Sequence, residues 1–143
     1  MSKLRLFFLI ILIFSSFLHC ENDNPVPEVY VDYTIDLYNP LYQALQTVAV
    51  AVFIPNAGNK GIIVIKVDIN KYSAFDATCT YDPKHEWGRV EIDANGIYAT
   101  DNVCGSQFSL MMNGSVNKAP ATYPLKEYAV DYNQNLGTLH IHN

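Results

Sequence analysis

Two cysteines are the side chains of this sequence best suited to chemistry. Cys79 opens a polar turn (Cys79, Thr80, Tyr81, Asp82, Pro83), and Cys104 stands ahead of a Gly105-Ser106 turn. They are 25 residues apart, and two thiols so placed can form a disulfide, stay as free buried thiols, or ligate metal. In an oxidising compartment a disulfide is the default expectation, and closing that loop would stabilise the fold by roughly 3.5 kcal/mol on the chain-entropy model. His85 follows Cys79 by six residues among Asp82, Lys84 and Glu86; it reads as a solvated loop histidine, with a displaced metal ligand as the alternative. His140 and His142 share one face of an alternating segment, a spacing compatible with an adventitious metal pair but lacking a third ligand. Ser106 and Ser109 have no strand-to-helix elbow around them, which argues against a serine nucleophile. The carboxylate pairs Glu127 with Asp131 and Glu91 with Asp93 read as solvated strand faces rather than acid–base pairs. Trp87 is either a partner contact or a lid over the first loop, and Met111 and Met112 are expected to be partly buried.

The elements that position these residues must come from one domain, because 143 residues suffice for one core and are too few for two comfortable ones. Charged residues make up 16% and aromatics 13%, ten of them Tyr, a balance that favours sheet. Net charge is −5; without Lys3 and Arg5 of the leader, seven basic residues face fourteen acidic ones, a balance of −7. That excludes the basic footprint a nucleic-acid partner requires. Residues 1–19 form the leader: Lys3 and Arg5 precede an apolar run from Leu6 to Ile13, short of the roughly 20 residues of a spanning helix. Cys20 then stands at the cleavage position, and Glu21, Asn22, Asp23, Asn24, Pro25 and Pro27 make a polar tether over residues 20–28. The arrangement resembles a bacterial lipoprotein signal, with Phe17, Leu18 and His19 departing from its usual residues. It implies acylation of Cys20 and anchoring of the chain to a membrane of the bacterial envelope, on the periplasmic or surface side.

Beyond the tether, residues 29–38 alternate, with Val29, Val31, Tyr33, Ile35 and Leu37 on the apolar face of a half-buried strand that Asn39 and Pro40 end. Residues 41–46 read as one helical turn or an irregular loop, and 47–54 as a buried strand. A turn at 55–61, rich in Gly and Asn, predicts an antiparallel return over 62–68, apolar on both faces and so buried inside a sandwich. Strands follow at 72–76, at 88–93 and 97–100 around Asn95-Gly96, in a hairpin about Asn113-Gly114, and at 126–132 and 138–142. The hairpin between Cys79 and Cys104 brings both cysteine loops to one end.

The run Cys104, Gly105, Ser106, Phe108, then Ala119, Pro120, Ala121, Pro124, Leu125, Tyr128 resembles the second half of a Rieske iron–sulfur domain. The resemblance covers about residues 72–130 and implies an all-β, Rieske-like antiparallel β-sandwich with a two-loop tip, over residues 29–143. That family holds a [2Fe-2S] cluster with Cys-x-His on one loop and Cys-x-x-His on the other, two Cys on one iron and two His on the second. Here Cys79 matches the first-loop Cys, Tyr81 stands where its His belongs, Asp101 at the second ligand Cys, and Cys104 at the second His. Tyr81 and Asp101 are hard donors poorly suited to such a centre. The resemblance therefore implies a cluster-free binding or structural module with no catalytic residues and no expected cofactor, its partner an unidentified envelope protein. The alternative is a [2Fe-2S] electron carrier with non-standard ligands (Cys79, Cys104, His85). A third reading makes the chain a subunit of an oxidoreductase whose redox centre lies in a partner.

Overall fold

Apolar alternation at Val31, Tyr33, Ile35 and Leu37 becomes strand β1 (Asp32–Asp36), whose inward face is buried or half-buried and whose outward face is exposed. The structure, a computed structural model, describes residues 24–143; the leader and Cys20 lie outside the described residues. Between β1 and the next strand, a 3₁₀ turn (Gln43–Gln46) sinks Leu45 into the core. The strand expected at 47–54 is shortened to β2 (Ala51–Ile54). Ala49 takes a positive φ of 63°, which removes residues 47–50 from regular extended pairing. β3 (Ile62–Asp68), β4 (Lys71–Asp76), β9 (Glu127–Asn133) and β10 (Thr138–His142) complete an antiparallel sheet of order β1-β10-β9-β4-β3-β2. A four-stranded meander, β5 (Val90–Ile92), β6 (Tyr98–Asp101), β7 (Gln107–Ser109) and β8 (Ser115–Lys118), is inserted between β4 and β9.

β3 explains how the two sheets cohere. Ile62 and Val64 join one apolar cluster, with Ile35, Leu45, Leu139 and Ile141; Ile63 and Ile65 join the other, with Phe75, Val90, Phe108 and Leu125. All four β3 side chains are fully buried, each contributing ~1.5–3 kcal/mol by burial. The strand is apolar on both faces because it is the partition between two cores. β4 repeats the division, Tyr72 and Ala74 on one side, Phe75 on the other.

The partition is tied at Asp76, the last residue of β4, which is fully buried. Its Oδ2 accepts from the Asn59 N–H at 2.6 Å and the Tyr128 hydroxyl at 2.7 Å; its Oδ1 accepts from the N–H and hydroxyl of Thr78 at 2.8 and 2.5 Å. Four donors fill the roughly four lone-pair sites of a carboxylate, so the charge sits in the core without a cation. They come from the 55–61 turn, the first cysteine loop and β9. Gly58 is required beside it, since its φ is +66° and a Cβ would lie 2.6 Å from Asp76 Oδ2.

Removing one donor leaves a buried acceptor short. Tyr128→Phe is expected to lower unfolding free energy by about 1–3 kcal/mol in urea titration. Gly58→Ala should cost at least as much, through backbone strain as well as collision with the carboxylate. Unchanged midpoints in both variants would remove Asp76 from its place as the tie.

Candidate functional site

The two cysteine loops meet at one end of the small sheet, as the intervening hairpin requires. The first is pinned at its root: Cys79 N–H donates to Gly88 O at 3.0 Å and Val90 N–H to Ala77 O at 2.8 Å. The Lys60 ammonium bonds the carbonyls of His85 and Gly88, clamping the loop from outside. The second loop is a tight turn in which Gly105 N–H donates to Asp101 O at 2.8 Å and Val103 N–H to Asp101 Oδ1 at 2.7 Å. Gly105 has a φ of +78°, which a residue with a side chain rarely adopts. The proline loop then packs behind the tip. The Ala121 N–H donates to Ser106 Oγ at 2.9 Å, and the Thr80 hydroxyl to Tyr123 O at 2.6 Å.

Cys79, Asp101 and Cys104 converge, each offering a ligand atom within 4.8 Å of the others. The expected disulfide is not present: the two sulfurs are in contact at 3.7 Å as free thiols. Cys104 Sγ lies 3.1 Å from Ser106 Oγ and accepts the Ser106 N–H at 3.4 Å. Burial, then the neighbouring Asp101 carboxyl, pushes the Cys79 thiol up to about 12 from an ordinary 9.0. Asp101 is itself buried, and none of the ion pairs among the described residues involves it.

The other singled-out residues scatter. Tyr81 is 56% exposed. His85 is exposed, its Nδ1 accepting the Trp87 N–H at 3.2 Å; with Tyr81, Asp82, Cys104 and Pro120 it lines a cavity of about 380 Å³ beside the tip. Trp87 stands 71% exposed, so it is no lid. Met111 is half-buried against the second core whereas Met112, at the hairpin tip, is 67% exposed. His140 and His142 stack at 4.8 Å on β10, far along the chain from the cysteine loops, and bond Asp32 and Asp131 at 2.9 and 3.0 Å. Asp131 joins the two imidazoles as a third grouped donor. The register across β9, β10 and β1 supplies these acids, and residue spacing along one strand does not reveal them. Asp76 and Lys60 are likewise positioned by distant pairing, although Asp-x-Thr at 76–78 is a local turn signal.

No family model matches the sequence, and no curated protein matches it. Solved structures do. The cyanobacterial plasma membrane Rieske protein PetC3 from Synechocystis PCC 6803 is similar at 20% identity, over 81% of this chain and 100% of that one, with a TM-score of 0.51. A chain of the complex of reduced oxygenase and oxidised ferredoxin in carbazole 1,9a-dioxygenase aligns at 18% identity over 67% of this chain and 82% of its own (TM-score 0.48). The ferredoxin of carbazole 1,9a-dioxygenase from Nocardioides aromaticivorans IC177 aligns at 14% over 80% and 95% (TM-score 0.47). The likeness to PetC3 defines the fold: this is a Rieske-like domain, all-β, with antiparallel sheets and a two-loop tip.

The residues at that tip do not fit a [2Fe-2S] core. Such a core carries its ligand pairs on opposite irons. The correspondence of positions puts Cys79 and Asp101 on one iron, Tyr81 and Cys104 on the other. Tyr81 and Asp101 offer hard oxygen donors where such a core takes thiolate and imidazole, and Cys79 and Cys104, which would sit on opposite irons, are in contact at 3.7 Å.

Because Cys79 keeps its proton in the fold to higher pH than in the unfolded chain, its contribution to stability is whole below pH 9.0 and is lost as pH rises toward about 12. Wild type is therefore expected to lose more stability than Cys79→Ala over that interval, measured as the change in urea midpoint with pH. In native protein the half-buried Cys104 should react with a maleimide faster than Cys79; equal rates would contradict the burial.

Proposed function

We propose that this chain is a membrane-anchored lipoprotein of the bacterial envelope whose Rieske-like domain works without a [2Fe-2S] cluster, as a binding module presenting its two-loop tip. The observation that carries this reading is the 3.7 Å contact between Cys79 and Cys104, with tyrosine and aspartate at two of the remaining ligand positions. The surface around the tip supports it. Tyr81, Trp87 and Val103 are 56%, 71% and 57% exposed there, rimming the cavity of about 380 Å³ and a neighbouring groove of about 540 Å³. Exposed apolar side chains gathered at one end are what a protein partner covers. The acidic balance of the chain turns that partner away from nucleic acid.

The start of the described chain supports the anchor's placement. Val26 is buried, Asn24 Nδ2 donates to Pro124 O at 3.0 Å, and Lys126 pairs with Glu28 at 2.8 Å while donating to Pro27 O at 3.2 Å. Only residues 21–23 separate Cys20 from docked Asn24, a reach of roughly 14 Å. An acylated Cys20 would hold the proline-loop side of the domain close to the bilayer.

A second reading, a [2Fe-2S] electron carrier using Cys79, Cys104 and His85, is favoured by one observation: His85 and Cys104 line the same cavity. It requires the first loop to leave its Lys60 clamp.

Full-length protein from membranes is expected to be colourless, with substoichiometric iron, no acid-labile sulfide and no paramagnetic signal on reduction. Iron and sulfide at two per chain would establish the second reading instead. Radiolabelled palmitate should enter the wild type and not Cys20→Ala; label in that variant, or none in either, would refute the anchor.

A further inference from the structure

The tip that cannot seat two irons has the dimensions of a site for one ion. Two thiolates ~2.3 Å from a single tetrahedral ion lie about 3.8 Å apart. Cys79 and Cys104 already stand at 3.7 Å. A carboxylate oxygen at ~2.0 Å from the same ion lies about 3.5 Å from each sulfur, so Asp101, within 4.8 Å of both, needs to close by about 1.3 Å at most.

The hydrogen bonds around these atoms suit anionic ligands. Asp101 Oδ1 accepts from the Val103 N–H and Cys104 Sγ from the Ser106 N–H. Each donor is the residue two further along, so the second loop curls its own N–H groups onto its two ligand atoms. Such donors fix a metal ligand's orientation and offset its negative charge. Asp101 adds a buried carboxylate with no cationic side chain paired to it among the described residues. Asp76, by contrast, has four donors and needs none. A divalent cation would supply the missing countercharge.

We propose that the tip binds one thiophilic divalent cation of the zinc type through Cys79 Sγ, Cys104 Sγ and a carboxylate oxygen of Asp101. The fourth position faces the cavity lined by Tyr81 and His85. Two metal–sulfur bonds form as two thiol protons leave to water, and no electron moves. The site deepens the cluster-free reading above and rests on it. Such an ion would join the two loops where the expected disulfide is absent, making the shape of the tip dependent on metal.

Cobalt(II) is the probe, because sulfur ligation gives it a thiolate charge-transfer band that oxygen and nitrogen ligands do not. The full-length chain carrying Cys20→Ser, purified anaerobically, is expected to bind one cobalt with that band and with visible bands of tetrahedral intensity, both bleached by zinc. Cys79→Ser and Cys104→Ser each leave one thiolate and should about halve the band per bound cobalt while weakening binding, and the double variant should abolish it. The near-isosteric Asp101→Asn, which keeps the bond from Val103, should weaken binding by more than tenfold while the metal-free thermal midpoint stays near wild type. Ser106→Ala keeps all three ligands and should shift the band's energy, binding falling about tenfold. His140→Ala with His142→Ala should change none of this, separating the tip from the imidazole group on β10. Absence of the band, or its undiminished strength in Cys104→Ser, overturns the proposal. If the chain is colourless and takes no cobalt at the tip, the single-ion site falls and the cluster-free reading stands. If it arrives with iron and sulfide, both fall.

Discussion

A carboxylate buried without a cation is tolerable only when its lone pairs are filled, and the burial of Asp76 sets that demand at the junction of three parts of this fold. The turn at 55–61 contributes Asn59, the root of the first cysteine loop contributes Thr78, and β9 contributes Tyr128 across 52 residues of chain. Burial and the Asp76 carboxylate hold the Tyr128 hydroxyl in its protonated, donating form. Because Asp76 ends β4 three residues before Cys79, the same bonds that join the 55–61 turn to β9 also aim the first loop. Asn59 reinforces this with a second bond, from its Nδ2 to Thr78 Oγ1 at 2.9 Å.

The division into two cores follows from β3 and β4. A strand whose two faces enter different apolar clusters cannot slip by one residue without exchanging the clusters' contents. Register is thereby specified twice over, and the inserted meander inherits a fixed wall to pack against. Phe108 and Leu125, fully buried on that wall, lie behind the second loop and the proline loop. The tip is thus rigid at its base whatever its apex carries.

Scaffold and chemistry separate at the apex. Backbone geometry and packing shape the loops: the positive φ at Gly105, the Ser106 hydroxyl accepting from Ala121, and the Thr80 bond to Tyr123. The donor atoms at the apex are set on that frame: two touching thiols, a buried aspartate and an exposed tyrosine. Loop shape depends on backbone geometry and packing, whereas cofactor binding depends on the identity of a few donor atoms, so the fold by itself does not fix what the apex holds.

Local periodicity was enough to determine much of the molecule from the sequence alone. The alternation at 29–38, the doubly apolar run at 62–68, the Asn95-Gly96 turn and the proline loop each encode their element through side-chain spacing or dihedral preference, and the loop residues carry the Rieske-like resemblance. Where pattern was weak the reading slipped, as at 47–50, where a run of Val and Ala gives no sign of the positive φ at Ala49. The candidate site was half legible. Cys79 and Cys104 announce themselves by residue type, but whether two thiols bond, touch or stand apart depends on distances of a few ångströms set by elements far away in the chain. Tertiary structure alone decided that they touch at 3.7 Å, that Asp101 turns inward beside them while His85 stays at the rim, and that Asp76 ties the 55–61 turn and β9 to the root of the first loop. Periodicity reports which face a residue takes; only the closing of strands distant in sequence fixes which atoms share a point in space.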